Sequence, residues 1–483
     1  MKLAELAARA GIPLATDVDR AVSGFAIDSR KVAPGNVFGA FPGSQVNGED
    51  FIAAAIAAGA AAIVARPGAT VGGAALHIAD EEPRRAFARL AAAFFAPFPE
   101  TVVAVTGTNG KTSTVEMTRQ IWRMAGHRAA SIGTLGVTTP DGSEYTGLTT
   151  PDIVTFLANM GGLAREGVSH VAYEASSHGL AQFRSEGPPV AAGAFTNLSR
   201  DHLDYHGTME AYFAAKMRLF DEVVERGGAA VVCRGSDWAS RACEHARRGG
   251  LRLFTVGEQA EDICLLARAP TQLGQTLEIA YGGQRLSVSL PLIGGYQASN
   301  ALVAAGLALV TGGEAGRVFD ALSRLQPVRG RLERAAITAS GVPVYVDYAH
   351  TPDALEAAID ALRPHVSGRL IVVFGAGGDR DPGKRAAMGQ AAVRGGDQVI
   401  VTDDNPRGED PALIRAMVLE GAPGAQEIAD RREAIAAALA AAGAGDIVLI
   451  AGKGHEQGQI IGRGPDARIL PFDDVSVARE CAA

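Results

Sequence analysis

The sequence predicts an α/β protein of three domains: a small α/β N-terminal domain over residues 1–98, a central P-loop-type doubly wound sheet over 99–327, and a Rossmann-like C-terminal domain over 328–483. Three observations carry this. The chain has 483 residues, and one domain takes about 150. Short β-branched runs alternate with helical patterns, as in parallel strands joined by crossover helices. One such run, in Thr101–Thr114 (TVVAVTGTNGKTST), leads through a glycine turn directly into a helix.

In the first domain a mixed helical stretch carrying Glu5 and Arg9 opens the chain. Phe25–Asp28, Val37–Phe41 and Ala61–Val64 read as strands, and Phe51–Ala58 as a helix. Pro83–Phe95 is a second helix, with proline tolerated in its first turn. Pro97 and Pro99 then discourage regular structure and mark a linker. The second domain has strands at Val102–Val105, His170–Glu174, Ala192–Thr196 and Ala229–Cys233. Leu277–Tyr281 and Arg285–Leu290 flank Gly282-Gly283, a hairpin expected on one edge. The third has strands at Val344–Asp347, Leu370–Phe374, Gln398–Thr402 and Ile447–Ile450, and Ala434–Ala442 reads as helix. Asp347, Gly375, Asp403 and Gly452 fall at the carboxyl ends of those strands, where such sheets bind ligands.

Composition narrows the function. Apolar residues make up 47% and charged residues 20%, enough for a sizeable core. A net charge of −8 argues against a general nucleic-acid coat. No run of 18 apolar residues spans a bilayer, and the N-terminus lacks the apolar core of a signal peptide. Cys233, Cys243, Cys264 and Cys481 are scattered without metal-like spacing, which fits a reducing compartment. The expectation is a cytoplasmic monomer with no nucleic-acid partner and no membrane insertion.

Gly107, Thr108, Asn109, Gly110, Lys111 and Thr112 make an anion cradle: backbone N–H groups and a helix dipole favour negative charge, a lysine adds a full charge, and a hydroxyl suits magnesium. Val105 stands where the general pattern has a glycine, so a plain glycine-rich turn with an exposed lysine is the alternative. Glu174 ends a strand of the same sheet; it reads equally as a magnesium ligand or as a solvated turn residue. Asp201, His202, Asp204 and His206 crowd one loop. Without cysteine or a helical His pair, this loop suits a magnesium–nucleotide site better than zinc. Lys216, alone on a helix, reads as a surface lysine. Asp347 suits a ribose or a helix cap. Arg380, Lys384 and Arg385 make one strand-end loop basic, and Pro406 and Arg407 stiffen and charge the next. A third such loop supplies Gly452 and Glu456. Arginines and acids at adjacent strand ends suit a zwitterion, or form ordinary ion pairs.

Together these stretches, TGTNGKT first among them, are similar to the Mur ligase family over essentially the whole chain. The resemblance implies ATP-dependent addition of an amino acid in peptidoglycan synthesis, with ATP and Mg2+, and so a part in cell-wall biogenesis, cell shape and division. It implies that Gly107–Thr112 with Asn300, Arg331 and Asp347 bind ATP. Thr112, Glu174 and His202 would hold magnesium, joined by Lys216 as a carbamylated lysine, which displaces the surface reading. Catalysis would fall to Lys111, Glu174, His202 and Lys216. The UDP-sugar peptide, UDP-MurNAc-L-Ala-D-Glu, would lie in the first domain and on Ser29, Thr149, Thr150, Ser176, Gln182 and Arg184. Arg380, Asp404, Asn405, Pro406, Arg407, Gly452 and Glu456 would take the amino acid. In the family the Asp-Asn-Pro-Arg form accompanies meso-diaminopimelate, so Arg407 argues against a lysine-adding member. Ser176–Leu180 and the first domain argue against a folate-polyglutamate synthase. A switch protein that hydrolyses ATP without ligation would need no basic–acidic pocket. Two stretches depart from the family: Gly295–Asn300 differs from the usual run before its asparagine, and Gly43-Ser44-Gln45 lacks a histidine often beside that glutamine. A hinge is expected near Gln326–Arg329.

Overall fold

The β-branched runs become strands because sheets covered on both faces bury every side chain along them. In this computed structural model the described residues are all but 15–19, 44–45, 74, 145–148 and 272–273. Ser44 and Gln45 therefore lie outside the described residues. The first sheet is four parallel strands in chain order, Gly24–Ala26, Asn36–Gly39, Ala62–Ala65 and Leu76–Ala79. The last of these was not anticipated; Leu-His-Ile-Ala is too short and mixed to stand out. Helix Pro83–Phe95 covers this sheet, and Phe87 meets Phe25 and Phe41 edge-on at 5.3 and 5.4 Å. The same apolar cluster runs on through Phe156 and Leu157 of helix Ile153–Arg165, so the first sheet is packed onto the second unit by a continuous core.

The second sheet has eleven strands. Thr101–Thr106 lies between Val190–Phe195 and His170–Glu174, parallel to both. Chain order reverses direction there, which opens a crevice at the strand ends. The parallel core is flanked by antiparallel strands on both sides, and the expected hairpin, Gly274–Tyr281 with Gln284–Leu290, forms one edge. Strands Ala129–Gly133, Arg252–Gly257 and Ile263–Thr271 extend the sheet beyond the strands expected from the sequence.

The third sheet has six strands, and its carboxyl ends are those of Pro343–Asp347, Leu370–Phe374, Gln398–Val401 and Ile447–Ala451. A two-stranded ribbon, Gly458–Ile461 with Arg468–Pro471, follows the last. The connection between second and third units is stitched to the phosphate-loop helix: Gln120 Nε2 donates to Gln326 O at 3.2 Å, and Gln326 N donates back to Gln120 Oε1 at 2.8 Å. A cavity of about 770 Å³ lies beside it, lined by Arg119 and Arg123 of that helix, Arg329 of the connection and His455 of the third unit.

Candidate active site

The glycine turn after Thr101–Thr106 leads into helix Lys111–Met124, whose cap residue Gly110 has φ +86°. A Cβ there would overlap Asn300 Oδ1, so glycine is required on both counts. The loop is held from the next strand end: Asn197 Oδ1 accepts from Asn109 N at 2.9 Å, and Thr196 Oγ1 and Asn197 Nδ2 donate to Asn109 O at 2.6 and 3.1 Å. Thr108 Oγ1 is fixed by Ser199 N at 3.0 Å and Tyr212 Oη at 3.3 Å. Sequence reasoning missed Thr196, Asn197 and Tyr212; the signal was their place within the stretch around His202. Lys111 Nζ donates to Gly107 O at 3.0 Å and Thr108 O at 2.8 Å. Burial pulls its pKa down, while the carboxylates of Glu174 and Asp201 oppose this.

Lys216 is buried, against the reading of the residue taken alone on its helix and in line with the place the resemblance gives it. It is 1% exposed, its Nζ donates to Gly107 O at 2.7 Å, and it lies 4.3 Å from the Tyr212 ring centre. Burial, with Lys111 nearby, holds its pKa well below the usual lysine value. His202 has φ +53°, lies 3.3 Å from Asp201 and is kept neutral by a pKa of about 4, lowered chiefly by burial. Among the described residues no three His, Cys, Asp or Glu form a metal cage. Magnesium takes only one or two protein oxygens beside phosphate and water, and Thr112 and Glu174 offer oxygens of that kind.

Glu174 is 2% exposed and tied, not solvated: Thr134 N and Oγ1 donate to its two oxygens at 2.7 and 3.2 Å. Thr134 also bonds Thr149 at 3.0 Å. Thr150 Oγ1 donates to Glu174 O at 2.8 Å and lies 2.9 Å from Ser176 Oγ. Arg184 reaches Thr150 O at 3.1 Å and Gln182 Oε1 at 2.6 Å. Thr149, Thr150, Ser176, Gln182 and Arg184 are thus one network; Ser29 sits on the first sheet, in the turn Ser29–Lys31, outside it. Arg84, from the first unit, lies close enough to Arg184 for their charges to oppose.

Arg331 joins the second and third units. Its Nη2 donates to Thr112 Oγ1 at 3.1 Å, its carbonyl accepts from Gln297 at 3.0 Å, and its guanidinium stacks 4.5 Å from the Tyr348 ring centre. Asp347 accepts from Leu332 N at 2.6 Å, and burial raises its pKa to about 6. Asn300, Arg331 and Asp347 all border the cradle or that junction.

On the third sheet the loops around Gly378 and Pro406 pack backbone to backbone; a Cβ at Gly378 would overlap Pro406 O. This brings Arg407 over Gly378, whose carbonyl accepts from Nη1 at 2.9 Å. Burial and neighbouring Arg380 lower the Arg407 pKa, while Asp404 and Glu456 oppose them. Asp404 and Asn405 are buried, Gly452 lies against Asp404 Oδ2, and Asn405 Nδ2 donates to Glu456 at 2.7 Å. Arg380 is exposed at the rim. Arg385 belongs elsewhere: it is buried and paired with Glu409 at 2.8 Å. The Arg407 guanidinium thus lies within electrostatic reach of Arg380, Asp404 and Glu456 at adjacent strand ends.

Fold and cradle together define a phosphate-loop α/β protein with a second charged pocket on a separate sheet. Three family descriptions match it: "Mur ligase family, catalytic domain" over residues 21–95, "Mur ligase middle domain" over 105–308 and "Mur ligase, glutamate ligase domain" over 330–454. The UDP-N-acetylmuramoyl-L-alanyl-D-glutamate–2,6-diaminopimelate ligase of Zymomonas mobilis is 61% identical over 462 residues, covering 96% of this chain and 95% of its own length. A solved structure of a ligase with the same name has TM-score 0.71 and 34% identity, covering 99% of this chain and 98% of its own. MurF ligase from Thermotoga maritima, solved with ADP, shares the fold at TM-score 0.63 and 20% identity, covering 89% of this chain and 93% of its own. The chain belongs to the Mur ligase family.

Proposed function

We propose that this chain is an ATP-dependent amide ligase. It adds meso-diaminopimelate to the D-glutamate of UDP-MurNAc-L-Ala-D-Glu, in the cytoplasm, during peptidoglycan precursor synthesis. The observation that carries the reading is the pairing of two sites, a phosphate cradle on one sheet and a guanidinium–carboxylate pocket on the next, in a chain 61% identical to a ligase named for that reaction. Residues 1–98 with Thr149–Arg184 serve the UDP-sugar peptide, 99–327 the nucleotide and 328–483 the amino acid.

A carboxylate and an ammonium do not condense unaided. The γ-carboxylate oxygen of the D-glutamate attacks the terminal phosphorus, ADP leaves, and an acyl phosphate forms. The deprotonated amine of diaminopimelate then attacks the acyl carbon, and phosphate leaves with its electron pair. Lys111 and the helix N-terminus hold the triphosphate against its own repulsion. Thr112 and Glu174 are the oxygens, and His202 the nitrogen, available to Mg2+, which supplies further charge neutralisation when bound. Lys216, whose pKa burial lowers, is the amine able to take up CO2 as a carbamate with loss of a proton, which would place an anion beside Lys111. Arg407 and Arg380 hold a carboxylate of the amino acid and Glu456 an ammonium. No protein nucleophile is needed.

The test compares acceptors. Phosphate release with the UDP-dipeptide should depend on meso-diaminopimelate and fall strongly with lysine or ornithine. Release at equal rates without any amino acid would mark an ATP-hydrolysing switch instead, and lysine serving equally would overturn the choice of amino acid.

A further inference from the structure

The loop between Gly452 and Glu456 carries a lysine that the reaction above does not use. Lys453 has no exposed surface. Its Nζ donates to Asn405 Oδ1 at 3.0 Å, Glu456 Oε2 at 3.2 Å and Gly458 O at 2.6 Å. Three donors meet three acceptors, so the ammonium is saturated within the protein. A buried charge persists only under such pairing.

The partners it has chosen are informative. Asn405 Nδ2 donates to the same Glu456 Oε2 at 2.7 Å, and Asn405 Oδ1 also accepts from Ile460 N at 2.9 Å. Both polar ends of the Asn405 amide are therefore engaged by protein. Glu456 Oε2 is held twice, and among the described residues no hydrogen bond reaches Glu456 Oε1. That leaves Oε1 to accept from an ammonium. The other end of the network leads to the guanidinium. Ile460 O accepts from Arg407 N at 3.0 Å, and Arg407 O accepts from Gly462 N at 2.7 Å. Arg407 itself has φ +50°, a conformation that needs support from its surroundings. The ribbon strand Gly458–Ile461 thus anchors Arg407 by its backbone and is itself anchored by Lys453 and Asn405.

We propose that Lys453 is a positioning residue for the amino-acid substrate, fixing Glu456 directly and Arg407 through the ribbon so that the ammonium grip and the carboxylate grip stand at one set separation. Asn405 is then a relay between them. This deepens the proposed function and rests on its placement of the amino acid at the third sheet.

The experiment uses the full chain and its natural substrates. Lys453→Met keeps the unbranched apolar stem and removes all three donors. Steady-state kinetics are run with diaminopimelate, ATP and the UDP-dipeptide varied in turn. Loss of hydrogen bonds to a charged group should raise KM for diaminopimelate about 10- to 100-fold, with KM for ATP changed less than about twofold. Discrimination against lysine should shrink. Asn405→Ala should show the same pattern, and the double variant should cost little more than either single one, because both act through Glu456. An unchanged KM for diaminopimelate, a parallel rise in all three KM values, or additive single effects would overturn the proposal. If Lys453→Met fails to fold, Lys453→Gln, which retains one donor pair, is read by the same criteria. Arg407→Ala separates the two claims. If its KM for diaminopimelate is normal, the placement of the amino acid fails; if that KM rises while Lys453→Met behaves as wild type, only the role of Lys453 fails.

Discussion

Lys111 turns its ammonium onto two carbonyls of its own loop, 3.0 and 2.8 Å away, and so sits where a terminal phosphate would be grasped. Its removal should cut amino-acid-dependent phosphate release at least about 100-fold, the scale of losing one preorganised charge donor. The melting temperature should move little, because Gly107 O keeps its bond from Lys216 Nζ. A Lys111→Ala variant with normal turnover, followed by phosphate assay, would remove the loop from the mechanism. Lys111, Gly110 and Asp347 were legible in the sequence because strand-end position and residue type agree there. Thr196 and Asn197 were not. They act on Asn109 from 87 and 88 residues away, and no local spacing encodes that approach. Charge alone also misled at Arg385, since sequence does not say which way an arginine turns. At Lys216 the bare residue pointed to the surface, and only the surrounding fold buries it.

At the scale of elements, helices Arg431–Ala441 and Asp474–Ala482 are joined by an ion pair with almost no exposure. Arg431 Nε and Nη2 meet Asp474 at 2.7 and 2.8 Å, and Nη2 also donates to Ala451 O at 2.9 Å, at the base of the Gly452 loop. Removing one partner leaves a buried charge alone. Asp474→Ala should destabilise by about 3–5 kcal/mol, seen as a lower melting temperature, and Arg431→Met added to it should restore part of the loss. If the single change left the melt unmoved, the pair would not be fastening these helices. Elements buried on both faces, such as His170–Glu174 and Leu370–Phe374, were legible in the sequence to the residue, because a short, largely apolar run rich in β-branched and aromatic side chains is stable only as a strand covered from both sides. Ala129–Gly133 escaped notice because Ala, Ser and Gly carry little strand signal; its pairing with His170–Glu174 decides it.

Across the whole molecule, burial holds several histidines neutral. His170, His206 and His350 are lowered from 6.5 to about 4 and His455 to about 3, in each case chiefly by burial. Between pH 6.5 and 4 the unfolded chain binds protons at these sites that the folded chain does not, so stability falls as pH falls through that window. Asp347, raised to about 6, has the opposite sign: its folded form binds the proton first and gains stability below pH 6. Four histidines outweigh it. Calorimetry from pH 7 to 4.5 should show a falling melting temperature, and a flat or rising profile would mean these rings are protonated in the folded state.

The two rims of the eleven-stranded sheet are dressed differently from its middle. Along one the described strand is Ser143–Glu144, which is exposed. The other ends in Gln284–Leu290, where Gln284, Arg285, Ser287 and Ser289 face solvent. A neighbouring molecule seeking to extend the ladder past Gln284–Leu290 meets a polar flank carrying Arg285. On that side the sheet discourages the edge-to-edge pairing that so broad a ladder invites.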